Sequence, residues 1–334
     1  MNKLSAFTEG DYLRTLEGLF FAVKGGVHPV DKVIAYLRYV PDPLGERSLG
    51  ETTYRRVIDI DETTRYLQCY YPAYLNYIGR LNMTMQSVPV DCIAEIYRPR
   101  ERLKVIMNRP TKPLEEAVTK FVEAIIGEGG VQKSSFGVSG SLLIGLDNET
   151  SDIDLNVYGQ DEGRRVYDAL KELRRAEEWI SAYNDDTVKG VLLSRWGELG
   201  PLKELAEIEK RKVLHGIVLG KDYFVRLLRD EESTYPSLSL GKVNIQARIM
   251  DSSESIFTPC KYLVREVDTL SGPEPDSITE LMSYRGKFTE QAWEGELVKV
   301  RGNLEEVHKP DGTHFRLFLG DKGDYLLPLY PDVF

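Results

Sequence analysis

The chain has 334 residues, 42% of them hydrophobic and 29% charged, with a formal net charge of −10. That length suggests two or three domains with ample core, and the acidic balance argues against a protein that coats nucleic acid nonspecifically, without excluding a local basic face. No run of eighteen apolar residues exists, and the start MNKLSAFTEGDYL lacks the apolar stretch of a secretory leader, so neither a membrane span nor export is expected. Cys69, Cys92 and Cys260 are far apart with no Cys-x-x-Cys. Buried free thiols in a reducing cytoplasm fit that spacing better than a disulfide framework or a zinc ribbon.

Residues 1 to about 108 read as a first, α/β accessory region. Gly18 to Lys24 (GLFFAVK) predicts a strand, and Asp31 to Val40 predicts another, rich in β-formers. Gly25-Gly26 and His28-Pro29 mark the loop between them. Tyr54 to Met85 reads as mainly helical, with tyrosines at 66, 70, 71, 74 and 77. At helical spacing these pack in a core or interface more often than they stack on bases. The run YRPRERLKVIMNRPTK gathers Arg98, Arg100, Arg102, Lys104, Arg109 and Lys112 against Glu101. It reads as a solvated linker first and as a phosphate-backbone contact second.

A second region spans 109–236. Lys112-Pro113-Leu114 opens a helix through Ile126, with proline near its start, and Gly127, Gly129 and Gly130 end it. Residues 134–139 predict a buried strand, Leu142-Leu143-Ile144 a short helical turn, Asp152 to Tyr158 a second strand, and Asp161 to Ser181 and Leu202 to Val213 two helices. His215 to Arg226 reads as a hairpin with Gly220-Lys221-Asp222 near its turn. The third region, 237–334, is rich in strands, including Val243 to Met250, and has turn signals at Pro310-Asp311-Gly312 and Asp321-Lys322-Gly323. It reads as a small β-barrel or sandwich, with GPEPDS at 272–277 as an internal loop. The fold class is therefore α+β or α/β and multidomain, with the chemistry in the central region.

That chemistry lies in SSFGVSGSLLIGLDNETSDIDLNVYG. Gly140 lets backbone approach a ligand closely, and the N–H groups of the turn beginning at Ser141 suit phosphates, with the Ser141 hydroxyl as a further donor. Side chains at i and i+2 of a strand share a face, so Asp152 and Asp154 point together while Ile153 and Leu155 enter the core. Two adjacent carboxylates repel each other unless a cation lies between them. Magnesium, or manganese in its place, suits such a pair when substrate phosphates complete the shell. Asp59-Ile60-Asp61 repeats the tripeptide, but its nearest glycine is in Leu49-Gly50-Glu51 and no Gly-Ser precedes it. It reads as a solvated strand end or turn.

The order strand, Gly-Ser, helical turn, Asp-x-Asp strand resembles the DNA polymerase beta-like nucleotidyltransferases. Ten residues, 142–151, separate Ser141 from Asp152, within that superfamily's range. The outer segments are similar to uncharacterised archaeal proteins described as predicted nucleotidyltransferases. The resemblance implies a magnesium-dependent transfer of a nucleoside monophosphate from a nucleoside triphosphate to a hydroxyl acceptor, with release of pyrophosphate. Flanking domains favour a macromolecular acceptor such as RNA. One departure is that many members carry a basic residue just before the second glycine, where this chain has Ile144 before Gly145. Two-metal transfer usually adds a third carboxylate. Asp222 and Asp251 are the candidates, each with a local reading as well: a turn residue and a strand-end cap. The rival reading is a nucleotide- or nucleic-acid-binding protein that keeps the fold without turnover.

Overall fold

The computed structural model describes residues 7–79, 83–197, 202–229, 235–275 and 277–329. The first six residues, residues 80–82 of the stretch Tyr54 to Met85, Asp276 of the GPEPDS loop and the last five residues of the third region lie outside the described residues. The chain forms two compact units: Met1–Glu123 with Gln132–Asn156, and Ala124–Val131 with Val157–Phe334.

The first unit opens with β1 (Tyr12–Thr15), β2 (Phe20–Val23), β3 (Lys32–Pro41), β4 (Arg47–Leu49) and β5 (Thr52–Arg56). Then come α1 (Ile60–Tyr70), β6 (Leu75–Ile78), β7 (Met83–Pro89) and β8 (Ile93–Tyr97). The sheet runs β4-β5-β3-β2-β1-β8, with β7 also on β3 and β6 on β7. All four residues of β2, Phe-Phe-Ala-Val, are buried, so both faces of this strand are covered. Phe21 and Val23 join Leu13, Val33, Leu37 and Val88 on one side. Phe20 and Ala22 join Tyr12, Tyr39 and Tyr54 on the other, together with Leu143, Ile144 and Leu146 from beside the Gly-Ser turn. At about 1.5–3 kcal/mol per buried large apolar side chain, this second cluster is a strong tie between the N-terminal sheet and the motif.

Among the described residues of Tyr54 to Met85, the expected helix is α1 alone, flanked by strands. Asp59 caps α1, its carboxylate accepting from Glu62 N–H at 2.9 Å, which accounts for the second Asp-Ile-Asp as a helix start. Pro72 stops the continuation, and beyond it the tyrosines and β-branched residues follow a strand pattern. Tyr74 is buried, with Tyr66 and Tyr71 packed against the same core, while Tyr70 and Tyr77 are exposed. Packing thus accounts for three of the five tyrosines.

The unit continues with α2 (Pro99–Asn108), α3 (Pro113–Gly129), β9 (Phe136–Val138), α4 (Gly140–Leu143) and β10 (Ile153–Tyr158). The division between the units passes through α3 and β10. Three cations of the basic run meet carboxylates: Arg98 meets Asp11 at 2.6 Å, Arg102 meets Glu115 at 2.6 Å, and Lys112 meets Asp147 at 2.9 Å. Half of the six cations therefore hold this unit together, and most of the run forms α2 rather than a linker.

In the second unit, α5 (Gln160–Ala176), β11 (Ile180–Ser181), α6 (Val188–Trp196) and α7 (Leu202–Arg211) precede a hairpin of β12 (His215–Val218) and β13 (Lys221–Leu228). The helix expected to reach Ser181 stops at Ala176 because Ile180 and Ser181 pair with Val218 and Ile217 instead. The β-rich remainder is β14 (Ser237–Asp251), β15 (Phe257–Thr258), β16 (Cys260–Ser271), β17 (Ile278–Ser283), β18 (Leu297–Lys309), β19 (Gly312–Phe318) and β20 (Tyr325–Pro328). The order β14-β16-β17-β19-β18 closes through β18 on β14, a small five-stranded barrel, with β20 beside β18. Alternate residues Val243, Ile245, Ala247 and Ile249 of β14 fill its core with Val298, Val300 and Leu304 of β18. Among the described residues, no helix is long and apolar enough to cross a membrane.

Candidate nucleotide site

The Gly-Ser turn and the Asp-x-Asp segment meet in the first unit. Ser139 N–H donates to Asp154 C=O at 2.8 Å, joining the end of β9 to β10. Gly140 has φ +63°, in the left-handed region that favours glycine. A Cβ there would collide with Asp154 Oδ2. The glycine is thus required twice, by its backbone angle and by the carboxylate pressed against it. Gly137 is also spatially required, since a Cβ would come within 2.6 Å of Pro99 Cβ at the start of α2.

The expected alternation holds across the acidic segment. Ser151, Ile153 and Leu155 are buried, while Asp152 and Asp154 are half-buried, on the opposite face. Asp152 precedes β10 rather than lying within it. Ser141 is buried, and its hydroxyl donates to Ser151 Oγ at 3.1 Å. Asn148 N–H donates to the same Ser151 oxygen at 2.9 Å. The ten-residue spacer is therefore held by a hydroxyl junction between its two ends, and in this conformation the Ser141 hydroxyl serves the loop. Among the described residues, no cluster of three or more His, Cys, Asp and Glu side chains is arranged to ligate a metal.

The N-terminal sheet supplies residues that the sequence motif did not reveal. Arg47 of β4 is buried and donates through Nη1 to Leu146 C=O at 2.7 Å and to Ser151 Oγ at 3.1 Å. Its guanidinium also lies over the Tyr39 ring, 5.9 Å from the centroid. Tyr39 is paired in register with Arg56, the last residue of β5. The Arg56 side chain reaches solvent. Desolvation pulls its pKa down, but Tyr39, Asp152, Asp154 and Tyr12 more than offset this and raise it. Burial pushes the Tyr39 phenol well above its usual range, reinforced by Tyr12 and, more weakly, Asp154. Nothing in TTYRR itself marks Arg56.

The two candidates for a third carboxylate belong to the second unit. Asp222 is exposed on β13, opposite Ile217 in register, and lies beside the buried Tyr183 hydroxyl. Asp251 ends β14 and accepts from Ser253 N–H at 2.7 Å. That bond, with the Ser253 hydroxyl next, holds its carboxyl below the ordinary range. Asp251 has the local partner that a strand-end cap anticipates, whereas Asp222 lies within β13 rather than in the turn before it.

Comparison with known proteins agrees with the motif. Residues 118–215 match the family described as "Nucleotidyltransferase domain". The chain is 29% identical over 323 residues to "Uncharacterized protein MJ1086" of Methanocaldococcus jannaschii, covering 92% of this chain and 93% of that protein. No solved structure gives a significant match. Residues 118–215 thus match a nucleotidyltransferase domain family, within a chain similar over nearly all its length to an uncharacterised archaeal protein.

Proposed function

We propose that the protein transfers a nucleoside monophosphate from a nucleoside triphosphate to a hydroxyl acceptor, releasing pyrophosphate. The observation that carries this reading is the juxtaposition of Gly140 with Asp154, which leaves no room for a Cβ between turn and carboxylate. A phosphate held at Gly140 and Ser141 would therefore lie beside the acidic pair. Asp152 and Asp154, both half-buried on one face, form a hard oxygen donor set that suits magnesium, or manganese, with substrate phosphates filling the remaining positions. When bound, the ion would neutralise the phosphates and lower the cost of charge developing at the α-phosphorus.

The chain's own residues divide the remaining work. Backbone N–H groups of the Gly140-Ser141 turn orient the triphosphate. Asp152 and Asp154 would hold the metal, and the acceptor hydroxyl would attack the α-phosphorus in line as pyrophosphate leaves. A third carboxylate, Asp222 or Asp251, would take the hydroxyl proton. RNA is the acceptor class we favour, because both flanking regions offer surface beyond what a small acceptor needs. The test is a magnesium-dependent incorporation assay with each α-labelled ribonucleoside triphosphate and total RNA. Asp152→Asn/Asp154→Asn is the control, and Asp222→Asn and Asp251→Asn are scored separately. Tight metal-dependent nucleotide binding without transfer to any acceptor would favour the non-catalytic reading.

A further inference from the structure

We infer that Arg56, from the N-terminal sheet, is the basic residue that grips the triphosphate, replacing the one this chain lacks before Gly145. The inference rests on the nucleotidyltransferase reading above and names a substrate-binding group for it. Three observations converge. First, the motif's own turn carries Ile144 in that place, and Ile144 is buried in the cluster shared with Tyr12, Tyr39 and Tyr54, so it offers a phosphate nothing. Second, the N-terminal sheet is fixed to this turn: the same apolar cluster holds it on one face, and the Arg47 bonds to Leu146 and Ser151 hold it at the spacer. Third, Arg56 is exposed and is the register partner of Tyr39, which packs with Leu143, Ile144 and Leu146 beside the turn, so its side chain lies on the face of the sheet that meets the motif; the charges of Asp152 and Asp154 acting on it agree with that placement.

Charge explains why a cation belongs there. A triphosphate arriving beside two carboxylates meets strong repulsion, which one divalent ion offsets only in part. A guanidinium is always charged and can hold two phosphate oxygens at once. Carried on a strand, it is positioned with less loss of freedom than on a loop. In this account the N-terminal region is part of the nucleotide site itself, and the family's missing cation is supplied by a different segment of the same unit.

The experiment compares wild type, Arg56→Gln, Arg56→Lys and Asp152→Asn/Asp154→Asn, all as full-length chains. Calorimetry gives the affinity for each ribonucleoside triphosphate and its monophosphate in magnesium, and manganese titration gives metal affinity without nucleotide. Arg56→Gln should weaken triphosphate binding about 10- to 100-fold, the range expected for losing one charge-assisted contact. Monophosphate binding should change much less, and manganese affinity should be unchanged or tighter because a neighbouring positive charge is gone. Arg56→Lys should recover part of the triphosphate affinity. An arginine that merely balances the aspartates would give tighter manganese binding with no selective loss of triphosphate, and that result overturns the inference. If wild type itself binds manganese but no triphosphate, the nucleotidyltransferase reading fails, and the inference falls with it. The wild-type arm separates these two failures. Circular dichroism of each variant identifies misfolding, and the triphosphate-to-monophosphate ratio does not depend on the fraction folded.

Discussion

A side chain on Gly140 would occupy the space already held by the Asp154 carboxylate. The backbone there is left-handed, at φ +63°. Forcing an L side chain into that region costs about 1–2 kcal/mol before any collision is counted. Gly140→Ala should therefore lower the stability of the chain by at least that amount in urea unfolding. It should also displace Asp154, so that nucleotide transfer falls by more than the folded fraction alone explains. Activity that simply follows the folded fraction would separate the glycine from the chemistry.

Arg47 joins the N-terminal sheet to the spacer between turn and acidic strand. Its bonds to Leu146 C=O and Ser151 Oγ lie in a buried setting, where charged hydrogen bonds are worth most and unpaired acceptors cost most. Arg47→Met keeps the apolar stem and removes both bonds. We expect a loss of about 2–3 kcal/mol, read from urea midpoints, together with faster hydrogen exchange at the Asn148 N–H bonded to the same serine. No change in stability would show that the apolar cluster alone holds the sheet to the turn.

Asp11 gives the first unit a pH signature. Its carboxyl is buried, and desolvation raises its pKa to about 6, against the lowering effects of the Thr8 N–H bond and Arg98. The folded value lies above the unfolded one, so between roughly pH 4 and 6 the folded chain binds more protons than the unfolded chain. Stability attributable to Asp11 is then greatest below that window and is lost as pH rises through it, by up to about 3 kcal/mol. Asp11→Asn should flatten this part of the pH–stability curve. A wild-type curve that rises there and is unaffected by the substitution would contradict the assignment.

Glu290 organises the interior of the second unit. Its carboxylate accepts from Val213 N–H at 2.7 Å, Leu214 N–H at 2.9 Å and the Tyr167 hydroxyl at 3.0 Å. Lys212, fully buried, meets Glu209 at 3.0 Å close by. Glu290→Ala would leave three donors unpaired in a dry site, and a loss of about 3–5 kcal/mol is expected. Thermal unfolding of the isolated substitution checks this. A shift in Tm of only a degree or two would mean that water replaces the carboxylate.

The motif was legible because it is local, from Gly140 to Asp154. Gly140, Ser141, Asp152 and Asp154 stand in a strand–turn–strand pattern that few other purposes require, and the structure brings turn and strand together. Long periodic helices such as Pro113–Gly129 and the β14–β20 barrel were also readable from pattern. Tyr54 to Met85 was not, because tyrosine spacing there suits both a helix face and a packed strand, and Pro72 decided between them. Arg47 and Arg56 could not be found at all. Their link to the motif spans about a hundred residues and depends on which face of β2 is covered, a fact of tertiary packing with no local trace.

The central claim is magnesium-dependent transfer at Asp152 and Asp154, and the incorporation assay tests it most directly. The account predicts that wild-type protein moves label from one α-labelled ribonucleoside triphosphate into RNA only when magnesium or manganese is present, and that Asp152→Asn/Asp154→Asn abolishes this while remaining folded. Label transfer that persists undiminished in the folded double substitution would contradict it.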